Sequence, residues 1–373
     1  KLARGLAEVE GEEVEAWAER QGLSRYFGSS LKGEAAIDWD DKAQREGLLT
    51  QIVEDGRYLL GVAEKLKEQH AEQGEGIEGE AALLRRLMAQ DVEEKPGGGC
   101  QVKSGTAKDR VVSVHDPEMR HGRKSASKRF NGHKAALAVE MESQLISGVE
   151  VLAGNAGDQE KALALVEQSE RVMEAEVEET VGDCAYGGGP TRRAFADAER
   201  PLTAKVPVSQ NGECFAKSEF EVDLERQEVR CPGGQISTDY RSDGPSRGGR
   251  FIFPAAIPPC GTCPLRSQCV RGRGPRSISI QAEERLQQEA RLHNQTQAGR
   301  KSLRERVVVE HRIARLVGLG IRKSRYFGRK KTCFQVVMAA VMANLSLVVG
   351  FCRRQAQQVA GVAEKAAAEL ANC

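Results

Sequence analysis

The amino-acid sequence predicts an α/β protein. A mixed sheet with flanking helices follows an α-helical segment and is interrupted by a β-rich insertion that contains cysteines. Apolar residues recur at helical spacing over residues 1–95, and short strand-like runs dominate residues 111–183. Glycine, proline and four cysteines mark residues 203–282, after which helical patterns return. Because 373 residues exceed the usual size of one domain, we expect at least two units.

The first predicted segment, residues 1–95, is helical. Its apolar positions form two sets at helical spacing: Leu48, Leu49, Ile52, Val53, Leu59, Leu60, Ala63 and Leu66, and then Leu83, Leu84, Leu87 and Met88. Residues 73–79 are rich in glycine and predict a loop between these helices. The Pro-Gly-Gly-Gly run at residues 96–99 predicts the linker that ends the segment.

Residues 96–202 are predicted to form the first part of the core that contains the sheet. Residues 111–114 predict a short strand, and residues 133–140 and 145–152 predict a hairpin. Asp158 is placed as the N-cap of a helix that runs from residue 159 to about residue 176. A further strand then leads into Asp183.

The rest of the chain is predicted to hold the insertion at residues 203–282, C-terminal core helices at 283–351 and a tail at 352–373. Residues 333–352 are apolar except for three polar side chains, and so reach the length of a membrane span. We interpret this segment as a buried helix packed on a sheet and expect no membrane partner, because the span stands alone and follows a basic helix.

Charge is distributed unevenly along the chain. Residues 1–95 carry 22 acidic and 13 basic residues, whereas the remainder carries 32 acidic and 42 basic residues. Contacts with nucleic-acid phosphates are therefore expected in the later part of the chain. The start of the sequence shows no apolar signal segment, and the cysteines are clustered, which favours a reduced cytoplasmic protein over a secreted one.

Two acidic residues, far apart in sequence, are the catalytic candidates. Asp183 ends an apolar strand just before a glycine-rich turn, and Glu310 lies among cations on a helix. Hard divalent cations such as Mg²⁺ or Mn²⁺ take oxygen ligands, and a metal pair clamps the attacking and leaving oxygens of a phosphoryl displacement. An ordinary turn aspartate and a surface ion pair of Glu310 with Arg306 are the alternative interpretations.

Four cysteines in the insertion predict a structural zinc site. Cys260 and Cys263 form a Cys-x-x-Cys pair, Cys269 follows, and Cys231 precedes them in a Cys-Pro-Gly-Gly turn. Tetrahedral Zn²⁺ takes four such thiolates, and the insertion has few large apolar residues to stabilise it without a metal. Chance occurrence of cysteines in a loop is the alternative.

Seven short motifs, in their order and spacing, resemble the DDE transposases of bacterial insertion sequences. The motifs are VHDPEMRHGRK (114–124), FNGHK (130–134), GNAGD (154–158), GDCAYG (182–187), CPLRSQC (263–269), VEHR (309–312) and RYFG (325–328). The resemblance implies an RNase H-like catalytic core, metal-dependent cleavage and joining of DNA strands, and a homodimer on the DNA ends. An RNase H-fold nuclease that only cuts, or a decayed or domesticated zinc-containing DNA-binding protein, are the alternatives.

The resemblance also implies a third catalytic acid on the first core strand. Asp116 is the only local candidate, although Pro117 indicates a turn. The other expectation is that this acid lies before Lys1 in a longer protein, because the chain begins without Met inside a helical pattern. In that case the chain would bind DNA without cleaving it.

Two basic runs are the predicted DNA-binding surfaces. The first contains Arg120, Arg123, Lys124, Lys128, Arg129 and Lys134, and the second contains Arg306, Arg312, Arg322, Arg325 and the aromatic Tyr326. Cations bind phosphates and an aromatic ring can stack on unpaired bases. A solvated charged surface is the alternative.

Overall fold

The computed structural model describes residues 1–28, 30–69, 74–125, 127–254 and 260–371. The chain divides into two compact units. The first comprises Lys1–His133 and Ala153–Asn155, and the second comprises Lys134–Leu152 and Ala156–Cys373.

The first unit is mainly helical, as its sequence predicts. Its elements are α1 (Leu2–Glu10), α2 (Val14–Arg20), α3 (Leu31–Glu34), α4 (Lys42–Gln69), α5 (Gly74–Asp91), β1 (Val92–Glu94), β2 (Cys100–Val102), β3 (Arg120–Arg123) and the first residues of β4 (Arg129–Val139). The core of its helices packs Trp17 and Leu6 against apolar residues of α4 and α5. Trp17 also donates its indole Nε1–H to Glu10 at 3.0 Å, so its one polar group is satisfied.

Three predictions for this unit need correction. Residues 74–79 belong to α5 rather than to a loop, and residue 73 lies outside the described residues. Residues 96–99 are the turn of the β1–β2 hairpin rather than a linker, because Lys95 N–H donates to the Gly99 carbonyl. Gly98 and Gly99 supply the positive φ angles of 89° and 78° that this turn requires. The strand predicted at residues 111–114 is reduced to one bridge between Val111 and Arg120.

The second unit combines helices with small sheets. Its elements are the rest of β4, β5 (Ile146–Ala153), α6 (Ala162–Met173), β6 (Thr180–Gly182), α7 (Gly189–Asp197), β7 (Leu202–Ala204), β8 (Glu221–Asp223), β9 (Glu228–Arg230), β10 (Ile236–Ser237), β11 (Tyr240–Gly244), β12 (Gly248–Phe253), α8 (Arg266–Cys269), β13 (Arg276–Ile280), α9 (Glu284–Gln295), α10 (Gln297–Glu305), α11 (Val307–Gly318) and α12 (Arg329–Ala371).

The predicted hairpin at residues 133–140 and 145–152 is confirmed as β4 and β5. Glu140 N–H donates to the Leu145 carbonyl at 2.9 Å, which closes its turn. The helix predicted from residue 159 is shorter, and Asp158 is not its N-cap. Asp158 instead begins a 3-10 turn (Asp158–Lys161), and its carboxylate accepts from Lys134 Nζ at 2.9 Å.

The mixed α/β class is confirmed, with several small sheets in the described part of the chain. β6 and β7 pair in parallel, β3, β4 and β5 form a second sheet, and the strands of residues 221–280 form two three-stranded antiparallel sheets. These last two sheets enclose an apolar cluster of Phe220, Val229, Phe251, Phe253, Ile278 and Ile280. A single RNase H-like mixed sheet stays a prediction.

Helix α12 lies on β5, in line with the prediction of a helix packed on a sheet. Its buried residues Val336, Ala340 and Ala343 pack against Ile146 and neighbouring apolar residues of β5 and α11. The side-chain amide of Asn344 both accepts from and donates to the Ile146 backbone, each at 2.9 Å. Among the described residues, the segment 329–361 of this helix is also long and apolar enough to cross a membrane, a test that core helices of soluble proteins pass too.

Candidate functional site

Asp183 lies at the C-terminal end of β6, as its sequence predicts. The residue caps a 3-10 turn (Cys184–Gly187), and its Oδ1 accepts from Ala185 N–H at 2.8 Å. The side chain is exposed. Asp183 is therefore held in orientation by one oxygen while its carboxylate faces solvent.

The turn after Asp183 is fixed by close packing against β7. A Cβ on Gly187 would stand 1.8 Å from the Lys205 carbonyl oxygen, so only glycine fits there. The buried guanidinium of Arg192 donates to the Gly187 carbonyl at 3.0 Å and to the Ala204 carbonyl at 2.6 Å. These contacts hold the turn, and hence Asp183, against the parallel strand.

Tyr186 lies near two acidic residues, Asp183 and Asp158. Burial, followed by the charges of Asp183 and Asp158, raises the pKa of Tyr186 to about 12. Both carboxylates thus lie within electrostatic reach of one phenol. The sequence predicted only a helix-capping role for Asp158. The GNAGD motif at residues 154–158 was the signal that could have identified Asp158 as an acid near Asp183.

Glu310 lies in the first turn of α11 and is exposed. Arg306 Nη1 donates to Glu310 Oε1 at 2.9 Å, in the i, i+4 geometry that the sequence indicated. The preceding helix α10 packs on β6, and Ser302 Oγ donates to Glu179 Oε2 at 2.9 Å. Asp183 follows β6 and Glu310 lies on α11, and both belong to the second unit. Helix α10 packs on β6 and leads directly into α11, so it connects the two sites.

Asp116 does not occupy the position of a DNA-facing metal ligand. Its residue is only 1% exposed, and its Oδ2 lies 3.0 Å from His133 Nε2. Its Oδ1 accepts from Glu118 N–H at 3.2 Å, so it closes the turn that Pro117 indicated. The burial argues against Asp116 as the third catalytic acid.

Two of the predicted DNA-binding arginines serve the fold instead. Arg120 is buried and donates to Asp109 as well as to the Pro117 and Met119 carbonyls. Arg312 is buried and donates to the Ala343 carbonyl at 3.0 Å. The guanidinium of Arg120 is satisfied by these partners, whereas the buried Nε of Arg312 has no hydrogen-bond partner among the described residues. Burial places both groups away from an incoming phosphate.

Of the remaining basic candidates, Lys134 and Arg306 are half-buried and paired with Asp158 and Glu310, and the others are exposed. Arg123, Lys124, Lys128 and Arg129 form the end of the β3–β4 hairpin in the first unit. Arg322, Arg325 and Tyr326 lie in the loop before α12 in the second unit. Gln335 holds this loop by accepting from Arg325 N–H at 2.8 Å and donating to the Lys323 carbonyl at 3.0 Å.

The four cysteines of the predicted zinc site lie near one another. The Sγ atoms of Cys231 and Cys263 are each 3.7 Å from the point where a Cβ on Gly233 would stand. Burial, followed by the charges of Cys231 and Cys263, raises the pKa of the Cys260 thiol. Burial also raises the pKa of the Cys269 thiol, and the other three cysteines add to this.

Across the described ranges, no group of three or more His, Cys, Asp or Glu side chains is arranged to hold a metal ion. The donor chemistry nevertheless suits two different metals. Carboxylate oxygens at Asp183 and Glu310 suit a hard divalent cation, and clustered thiols suit zinc.

Comparison with known families bears on the C-terminal part of the chain. Residues 230–349, about a third of the chain, match the family model for the transposase DDE domain. The match contains Glu310 and the four clustered cysteines, and Asp183 precedes it. This match confirms the resemblance to DDE transposases. No curated protein and no solved structure matches the chain.

Proposed function

Since residues 230–349 carry the match to a transposase DDE domain, we propose that this chain is the transposase of a bacterial insertion sequence. It acts on DNA in the cytoplasm, cleaving a strand at the end of the element and joining that end to target DNA. The observation that carries this proposal is the family match, which includes the helix bearing Glu310. DDE transposases use divalent metals, typically Mg²⁺, and the exposed acids of this chain have the oxygen donors that such a cation takes.

The chemistry is two in-line displacements at phosphorus. In the first, water attacks a phosphodiester, the bond from phosphorus to the 3′ oxygen breaks, and a 3′-hydroxyl and a 5′-phosphate result. In the second, that 3′-hydroxyl attacks a phosphodiester of the target and a new 3′-hydroxyl leaves. A bound Mg²⁺ or Mn²⁺ would supply a stronger nucleophile and charge stabilisation.

Asp183 and Glu310 are the residues proposed to hold this metal. Asp183 is already oriented by Ala185 N–H and by the turn that Gly187 allows. Glu310 is paired with Arg306, which could move to a DNA phosphate when the carboxylate binds a cation. The third acid of the site is left open, because Asp116 is buried.

The DNA contacts are proposed to come from the two exposed basic segments. The β3–β4 hairpin offers four cations, and the loop before α12 offers Arg322 and Arg325 beside Tyr326. Exposed cations neutralise phosphates without regard to sequence, and the exposed tyrosine ring offers a stacking surface. An insertion sequence has two DNA ends, and each end needs a catalytic site. We therefore propose that a homodimer acts on the DNA.

A structural zinc ion at the four cysteines is part of the same proposal. The Cys-x-x-Cys spacing of Cys260 and Cys263 supports it, as does the approach of the Cys231 and Cys263 sulfurs to the same point beside Gly233. The two sheets of residues 221–280 share a core of six buried apolar residues, so this segment has more apolar support than its sequence indicated. A bound zinc ion would add to the folding free energy of the segment rather than supply all of it.

We expect about one zinc per chain in freshly purified, reduced protein, and loss of that zinc in Cys263→Ser. Metal analysis and hydrogen exchange of residues 221–280 measure the two effects. The exposed Cys184→Ser is the matched control and should keep both the zinc and the exchange protection. Wild-type protein without zinc would refute this part of the proposal.

Three outcomes of one assay separate the candidate functions. Labelled element-end DNA and a supercoiled target plasmid are incubated with the chain and Mg²⁺ or Mn²⁺. Joined products support the transposase, and cleavage without joining supports an RNase H-fold nuclease. Binding without either reaction supports a zinc-containing DNA-binding protein that has lost catalysis.

A further inference from the structure

Helix α12 exposes a continuous apolar stripe on the side opposite to its packing face. Phe334, Met338, Val341, Leu345 and Val348 are between 43% and 59% exposed, and Cys352 is exposed as well. Val337, Met342 and Val349 border the stripe and are also exposed. Monomeric soluble proteins rarely expose apolar patches of this size without a binding function.

The residues of the stripe are spaced along α12 like the apolar residues through which helices pack in a coiled coil. Its six positions, 334, 338, 341, 345, 348 and 352, alternate steps of four and three residues. This is the repeat of the a and d positions of a coiled coil, sustained here over about 27 Å of helix at 1.5 Å per residue. A surface with this repeat fits the side of another helix.

The stripe also has the extent that a stable dimer needs. Nine apolar side chains, each about half exposed, offer roughly 700 Å² of surface, given 150–250 Å² for an aromatic side chain and less for an aliphatic one. A standard protein interface buries about 800 Å² per partner. A two-fold contact between copies is self-complementary, so one stripe supplies both sides of the interface.

Two other occupants fit less well. Residues 332–352 contain no charged residue, so the stripe lacks the cations that a DNA backbone requires. A bilayer would have to accept the other side of α12, where Asn344 is bonded to the β5 backbone and the buried Arg312 donates to the Ala343 carbonyl. Charged and polar groups of this kind are costly in lipid.

We propose that the α12 stripe pairs with the α12 stripe of a second copy of this chain, forming a homodimer in the absence of DNA. Because α12 is already held on β5, pairing needs no folding of a free helix. The inference rests on the helix surface alone and holds whether or not the chain cleaves DNA.

Sedimentation velocity of the full chain, without DNA and over a range of concentrations, tests the proposal. The wild type should be dimeric at micromolar concentration, and Leu345→Glu should raise the dimer dissociation constant at least tenfold. Since Leu345 is exposed, the variant should keep the wild-type circular dichroism. Gln357→Glu adds the same charge at an exposed position of α12 outside the stripe and should leave the dimer unchanged.

A monomeric wild type at tens of micromolar would overturn the proposal. So would a dimer that Leu345→Glu and Val341→Glu both leave intact. Flotation of the wild type with phosphatidylcholine–phosphatidylglycerol vesicles, combined with no self-association, would assign the stripe to a membrane instead.

Discussion

Asp183→Asn is expected to lower DNA strand cleavage by about 10³-fold while leaving DNA affinity within a few-fold of the wild type. The exposed carboxylate is held by Ala185 N–H, and asparagine keeps that geometry while it removes the negative charge that a cation requires. Metal stabilisation of the transition state contributes several kcal/mol, and each 1.4 kcal/mol is a factor of ten in rate. Nicking of supercoiled plasmid in Mn²⁺ gives the rate, and fluorescence anisotropy gives the affinity.

Glu310→Gln should reduce cleavage in the same way, because it removes the second charge. Asp197→Asn is the matched control. Asp197 is exposed on α7, and its ion pair with Arg193 is long, with 4.0 Å between Arg193 Nη1 and Asp197 Oδ1. That variant should cleave at the wild-type rate. Near wild-type nicking by Asp183→Asn would exclude this residue from catalysis, and equal loss in the control would indicate a general charge effect.

Glu284→Ala is expected to destabilise the second unit by about 3–5 kcal/mol, the cost of breaking a buried ion pair. Glu284 is 2% exposed at the start of α9 and binds Lys217 Nζ and, at 3.3 Å, Arg291 Nη1. Removal of the carboxylate leaves a half-buried ammonium without its anion. Burial lowers the pKa of Lys217 and the pairing with Glu284 opposes this shift, so loss of Glu284 removes the anion that favours the charged ammonium.

Urea denaturation followed by circular dichroism measures this effect. Glu225→Ala is the control, because Glu225 pairs with Arg285 of the same helix but is 76% exposed. An exposed pair contributes about 1 kcal/mol or less. If the two variants lost equal stability, burial at Glu284 would not be the cause of its effect.

Local sequence signals predicted much of the second unit correctly. The β4–β5 hairpin, the strand before Asp183 and the helix bearing Glu310 all follow from short-range patterns of apolar residues. The α12 helix was predicted as well, because its apolar run is long. These elements depend on residues that are neighbours in sequence.

Predictions failed where tertiary contacts decide the outcome. Arg120 and Arg312 have the sequence context of phosphate ligands, yet both are buried and bind partners that are distant in sequence: Asp109 for Arg120 and the Ala343 carbonyl for Arg312. Asp116 has the sequence context of a strand-end acid, but His133, seventeen residues later, lies beside it in the interior. The pairing of Asp158 with Lys134 likewise overrides its expected role as a helix cap.

We propose that Asp183 and Glu310 hold the same divalent cation. Iron-directed cleavage of the polypeptide tests this directly. Fe²⁺ that replaces Mg²⁺ reduces added hydrogen peroxide to a hydroxyl radical and hydroxide, ascorbate returns the resulting Fe³⁺ to Fe²⁺, and the radicals cut the chain beside the bound ion. We expect cuts near residues 183 and 310 that excess Mg²⁺ suppresses and that Asp183→Asn removes at both positions. Cuts near only one of these residues, or cuts at both that persist in Asp183→Asn, would contradict it.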